Sequence, residues 1–297
     1  MPDPPASVRI AGPPVDTLLR EMLEDRWLTF GRRLSRARRK GSAAAIHDLR
    51  VATRRLLATL NLVSGVMVTK NARRIRRPAR ALLKTLNGLR DVQVQRGAVG
   101  RILRTRPLLR AYAIELRRRE AVLLGEAAGT FRAFPLPQIE QDVSALAEEI
   151  DAAFNGPALR SAGLRVLQGS AAAAYGRAVH LRGLIRFDRP ETLHRFRVAF
   201  KKYRYSIELL EPVFPWADRR LRRAMNRYQT ALGEIQDLEV LSTNLRAFAR
   251  RRRPPGRTSL PSFLPVYRWL ERRRERVLTG FQSAVNEINR FWEQPVR

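Results

Sequence analysis

The chain has 297 residues, no cysteine and a net charge of +31, from 58 Lys plus Arg against 27 Asp plus Glu. The missing cysteines exclude disulfides and thiolate metal sites, and no run of 18 apolar residues occurs, which speaks against a transmembrane helix and membrane insertion. A hydrophobic content of 44% is enough for a real core, so the charge sits on a folded body and calls for a polyanionic partner: nucleic acid, an anionic membrane surface or a chain of phosphates.

In chain order, residues 1–14 hold five prolines and no apolar stretch of the signal-peptide kind, which predicts a flexible tail and a cytoplasmic protein. Beyond it apolar residues recur at three- and four-residue spacing while strand signals are scarce. The pattern predicts helices over 15–40, 43–65, 70–104, 107–131, 138–154, 157–186, 190–212, 216–250 and 261–293. Gly41-Ser42 offers a break followed by an N-cap, and Asp188-Arg189-Pro190-Glu191 reads as a helix start. Arg253-Pro254-Pro255-Gly256 opens a flexible connector. Pro135-Leu136-Pro137 divides the body (15–293) into a first half of about 15–134 and a second of about 138–293, each with about four long helices on short connections. An all-α protein built from antiparallel bundles is the expectation.

The two halves repeat each other. IHDLRVATRRL at 46–56 returns as LHRFRVAFKKY at 193–203, RRIRR at 73–77 as RRLRR at 219–223, and LNGLRDVQV at 86–94 as LGEIQDLEV at 232–240. The offset holds at 146 to 147 residues throughout, as an internal duplication would leave it. At 100° per residue, Leu49, Ala52, Leu56, Leu60 and Val63 form an apolar stripe, with His47, Arg50, Arg54 and Ala58 opposite and Arg55 toward the edge. His194, Arg197, Lys201 and Tyr205 repeat that polar face, with Lys202 toward its edge. The next helix carries Arg73, Arg77, Arg80 and Lys84, with Asp91 continuing their direction if Pro78 leaves the helix unbroken. Its counterpart, Arg219, Arg223, Asn226, Thr230 and Asp237, is thinner. Residues 46–107 hold fifteen Lys or Arg and only Asp48 and Asp91 as acids. Such unmixed stripes oppose helix formation unless a ligand supplies the negative charge.

Blander readings fit the remaining candidates. His180 has no counterpart in the first half. Asp91 and Asp237 are read as orienting a neighbouring Arg or His, since hard cations want more oxygen ligands than two carboxylates supply. Trp27, Phe30, Phe196, Tyr203, Tyr205, Phe214 and Trp216 are read as core. The two stripe helices of the first half carry no aromatic residue, unlike single-strand binders that stack bases. His47 and His194 should be neutral among so many arginines until an anion protonates them, while Arg50, Arg54, Arg197 and Lys201 are expected to stay charged. No phosphate loop, nucleophile elbow or metalloprotease motif occurs.

These repeated blocks, HDLRVATRR with RRIRR and LNGLRDVQV, then HRFRVAFKKYRY with LGEIQDLEV, resemble the CHAD family (conserved histidine α-helical domain) over residues 15–293. The resemblance implies two antiparallel four-helix bundles related by a pseudo-twofold axis, with a basic groove or pore between them. It implies non-catalytic binding of inorganic polyphosphate, association with polyphosphate granules, and no cofactor or metal. The family's basic positions fall on His47, Arg50, Arg54, Arg55, Arg73, Arg77, Arg80 and Lys84, then on His194, Arg197, Lys201, Lys202, Arg219 and Arg223. Asn226 and Thr230 depart from Arg80 and Lys84. The triphosphate-hydrolase domain that some members carry has no counterpart here, so the chain looks like the stand-alone form. The same electrostatics would serve a nucleic-acid backbone, which stays as the alternative, and a polyphosphate hydrolase using Asp91 and Asp237 with a metal is the less favoured third.

Overall fold

The computed structural model describes residues 13–214, 216–251 and 263–292. Most of the tail predicted for 1–14, and the connector at Arg253–Gly256, lie outside them. Among the described residues the chain is all-α, with nine long helices and no strand. They are α1 (Val15–Lys40), α2 (Ala43–Val66), α3 (Lys70–Ile102), α4 (Arg110–Arg132), α5 (Leu136–Ala153), α6 (Pro157–Gly183), α7 (Pro190–Leu209), α8 (Arg219–Arg251) and α9 (Leu264–Ala284).

Local chemistry sets the ends. Gly41 takes the left-handed conformation (φ 55°) that closes α1, a backbone state open to glycine at little cost. Ser42 then caps α2, its hydroxyl accepting the Ala45 N–H at 3.3 Å. Thr69 caps α3 by accepting the N–H groups of Asn71 and Ala72, and Asp218 caps α8 by accepting the Leu221 N–H at 2.7 Å. That cap moves the start of α8 from the expected 216 to 219. Helix α6 ends at Gly183, three residues early, where the Thr192 hydroxyl takes the Arg186 N–H at 3.0 Å and turns the chain. Pro212, which cannot continue a helix interior, sits in a single 3₁₀ turn after α7 stops at Leu209. Pro78 does not break α3, which runs 33 residues; Ile75, Ala79 and Leu82, all fully buried, anchor the helix on both sides of it.

Helices pack chiefly on their chain neighbours, α2 on α1 and α3 and α7 on α6 and α8, and more lightly across the halves. Helix α2 meets α3, α6 and α7, while α3 meets α4, α5 and α8. So α2 contacts α7 and α3 contacts α8, each helix lying against its own sequence echo. The core does not part at the proline-rich divide. α5, which follows Pro135, packs on α1 and α3, and the main buried cluster runs from Leu19 and Leu56 to Phe200 and Phe281. A second cluster joins Val92, Tyr112 and Leu116 to Leu241, Phe248 and Leu270 from α8 and α9. With each large apolar side chain contributing about 1.5–3 kcal/mol on burial, these shared cores tie the two halves together and fix the faces that α2, α3, α7 and α8 turn toward one another.

Candidate functional site

The predicted apolar stripe of α2 is buried at Leu49, Ala52, Leu56, Leu60 and Val63, which turns Arg50 and Arg54 toward α3 and α7. Asn87 on α3 holds both: its side-chain oxygen accepts from Arg50 Nε at 3.0 Å and from Arg54 at 3.3 Å. From the other half α7 brings Arg197 and Lys201 into the same electrostatic neighbourhood. Arg50, Arg54, Arg90, Asp91 and Asp237 all act on one or both of those groups or on each other. The resulting centre has five cations (Arg50, Arg54, Arg90, Arg197 and Lys201) around two carboxylates.

That centre is short of negative charge. Burial, helped by Arg54, pushes the Arg50 guanidinium down to about 10. Burial and then Arg54, Arg197, Arg50 and Arg204 push Lys201 down to about 7. The expectation that Lys201 stays charged is therefore corrected, because desolvation adds to the field of four guanidinium groups. Burial also lowers Arg197, against the pull of Asp237, and its Nε is buried with no hydrogen-bond partner among the described residues. Asp91 and Asp237 keep a solvent-facing edge, yet desolvation raises both carboxyls and outweighs the arginines nearby. Neither makes a side-chain hydrogen bond or ion pair among the described residues, so they share a field with Arg50, Arg90 and Arg197 but do not orient them by contact. Among the described residues no group of three or more His, Asp or Glu side chains is placed to hold a metal ion.

Each histidine lies beside the helix that follows its own. His47 is exposed, and burial of its surroundings with Arg90 and Arg50 lowers it below the ordinary imidazole value, against Asp48. Asp48 itself pairs with Arg33 at 2.9 Å and Arg36 at 3.2 Å, which ties α2 to α1. His194 meets Gln236 instead, Nδ1 to Oε1 at 2.7 Å. Arg90 and Gln236 occupy the same place in the repeat, so each histidine faces the corresponding residue of the next helix.

Among the described residues several cavities adjoin the centre. One, about 520 Å³, lies at His194, Arg197 and Gln236 with Glu191, Glu239 and Arg274, and two others gather most of the remaining cations. The first of these two, about 580 Å³, gathers Arg54, Arg80, Lys201, Lys202 and Tyr205. The second, about 490 Å³, gathers Arg55, Arg204, Arg219, Arg222 and Arg223 around Glu208. Arg55 is already ion-paired with Glu208 across the halves, and Arg204 reaches the same carboxylate at 3.4 Å, so Arg55 is a weaker candidate than its place in the repeat suggests. Arg73, Arg77 and Lys84 stand exposed along α3 outside both cavities, with no hydrogen-bond or ion-pair partner among the described residues. Of the aromatics read as core, Trp27, Phe30, Phe196, Tyr203 and Phe214 are buried and Trp216 packs against the cluster. Tyr205 departs from that reading: it lines the first cavity, with Arg204 stacked 4.8 Å from its ring centre.

Asn87, Arg90, Gln236 and Arg204 were not among the predicted residues. The first three lie inside the repeated LNGLRDVQV and LGEIQDLEV segments, where Arg90 and Gln236 share a position and Asn87 aligns with Gly233.

A family profile described as CHAD domain matches residues 21–246. No curated protein matches the chain. Among solved structures the chain is similar to the crystal structure of the CHAD domain from the plant Ricinus communis, at 16% identity and a TM-score of 0.67, with 97% of this chain and 93% of that chain covered. It is also similar to PptA from Streptomyces chartreusis, at 18% identity and a TM-score of 0.57, with 94% of this chain and 100% of that chain covered. At these identities the likeness is one of fold.

Proposed function

Because the chain belongs to the CHAD family, we propose that it binds inorganic polyphosphate at the α2–α3–α7–α8 centre without catalysing a reaction on it. The observation that carries the reading is the uncompensated charge there. Four guanidinium groups and the partly protonated Lys201 from the two halves face two carboxylates, and Arg197 Nε is buried without an acceptor among the described residues. A chain of phosphates offers an unbroken row of acceptor oxygens, and guanidinium forks bind such oxygens with charge-assisted hydrogen bonds. The exposed cations Arg73, Arg77, Arg80 and Lys84 would extend the track along α3, and Lys202, Arg219 and Arg223 along the second half. Arg73 and Lys84 alone span eleven residues, about 16 Å of helix.

In this reading the two halves are duplicated bundles related by an approximate twofold axis. The contacts of α2 with α7 and of α3 with α8 support that arrangement. The protein then works in the cytoplasm, at polyphosphate granules.

The test is a competition titration of long polyphosphate against duplex DNA and single-stranded RNA at about 150 mM salt, where backbone contacts to nucleic acid are already weakened by counterion competition. Polyphosphate should displace both nucleic acids; preference for either one overturns the proposal. The log of the affinity should also fall steeply with the log of salt. Arg73→Ala with Arg77→Ala should make that slope shallower by about one per lost contact. A flat slope in the unmodified protein would mean that charge does not hold the ligand.

A further inference from the structure

We propose that the cavity beside Arg54 and Lys201 takes the base and ribose of a nucleoside polyphosphate while its phosphates lie on the cationic centre, an inference that rests on the polyanion reading above. This first cavity and the second, around Glu208, overlap in their places in the repeat, through Leu57 and Arg204, Asn61 and Glu208, Arg80 and Asn226, and Lys202 and Arg55, but differ in their walls. Where the second copy puts Arg204 and Glu208 in its cavity, the first puts Leu57 and Asn61. The second cavity is lined by charged side chains apart from Met225 and Asn226, whereas the first has an apolar floor of Leu57, Leu62, Leu83 and Ala174 beside Arg54, Arg80, Lys201 and Lys202.

Inorganic polyphosphate has no apolar surface and gains nothing from that floor. Its volume of about 580 Å³ falls inside the roughly 300–1,000 Å³ typical of small-molecule sites. Val198 opens onto it with 39% of its surface exposed, on the face of α7 that otherwise carries charge. A flat heterocycle would cover this valine and the leucines. Tyr205 supplies an aromatic wall, and Asn61 and Ser206 offer polar groups for the edges of a base, which an alkyl chain would leave unpaired. Arg54, Arg80, Lys201 and Lys202 then stand where a triphosphate would emerge.

The experiment compares ATP with inorganic triphosphate by calorimetric titration of the full chain, without divalent cations, since the two ligands carry similar charge. ATP should bind at least tenfold tighter, in line with base stacking on aromatic or apolar walls. Ser170→Trp, at an exposed position on the cavity rim, should remove that advantage and leave triphosphate affinity unchanged. Equal or weaker binding of ATP by the unmodified protein overturns the inference, whatever the variant does. Long polyphosphate run in parallel separates the two readings. If it binds tightly while ATP has no advantage, only the base site falls; if it does not bind, the polyphosphate reading falls with it.

Discussion

Replacing Arg50 and Arg54 together by glutamate should abolish polyphosphate binding, with a loss of at least a hundredfold, and leave the helical circular dichroism signal unchanged. Each charge-assisted hydrogen bond contributes about 1.5–3 kcal/mol, and a hundredfold loss corresponds to about 2.7 kcal/mol. Losing two such groups and placing two carboxylates in the phosphate path exceeds that threshold. The fold has little to lose. Leu49, Leu56 and Leu60 hold the opposite side of α2 and are fully buried, and the new carboxylates would face Arg90, Arg197 and Lys201, a centre now short of negative charge. The thermal midpoint should therefore not fall. Arg117→Glu with Arg118→Glu, two exposed positions on α4, makes the same change in net charge and should weaken binding only slightly. Equal losses in the two double variants would mean that overall charge, and not this centre, attracts the ligand. Loss of helicity in step with binding would show Arg50 and Arg54 to be structural.

The duplicated segments made the fold class and most of the site legible from the sequence, for a physical reason. A helix that is apolar on one side and cationic on the other declares its core face, and Leu49, Ala52, Leu56, Leu60 and Val63 are all buried as their spacing requires. What the pattern could not show is which cations are already spent. Arg55 and Glu208 are 153 residues apart, and nothing local to either predicts their pairing. The same holds for Asn87, whose single oxygen serves two arginines of another helix. Helix ends shifted wherever a side chain three or more residues away, such as Asp218 or Thr192, took over a backbone group. Tyr205 carries two readings in the sequence, core by residue type and polar face by helical phase; Tyr203 and Phe200 beside it are fully buried, while Tyr205 lines the first cavity with Lys201, as its phase requires. Lys201 was misread because a sequence gives its charge but not its desolvation.

That desolvation leads to the second large effect, a pH dependence centred on Lys201. In the free protein Lys201 is pushed down to about 7 by burial and by Arg54, Arg197, Arg50 and Arg204, so near neutrality it is only partly protonated. In the unfolded chain the same group holds its proton up to about 10.4. Between pH 7 and about 10 the unfolded state binds more protons, and the stability of the free protein should rise with pH across that window. A bound polyanion reverses the field. It favours the charged amine, so binding takes up a proton wherever the pH lies between the free and the bound values. Affinity should be greatest below pH 7, weaken as pH rises through that interval, and level off above it. Each tenfold recovery in proton affinity is worth about 1.4 kcal/mol, so partial recovery predicts affinity about ten- to a hundredfold weaker at pH 9 than at pH 6. His47, lowered by burial, Arg90 and Arg50, moves in the same direction at lower pH. Lys201→Arg separates the two, because a guanidinium keeps its charge: the loss above pH 7 should vanish in that variant while the lower arm remains. Calorimetric titrations with long polyphosphate in buffers of different ionisation enthalpy would measure the proton uptake directly. Binding should survive chelator treatment, since neutral imidazoles holding a metal would give affinity that climbs with pH. Affinity rising from pH 6 to 9, or an identical profile in Lys201→Arg, would show that Lys201 does not meet the ligand.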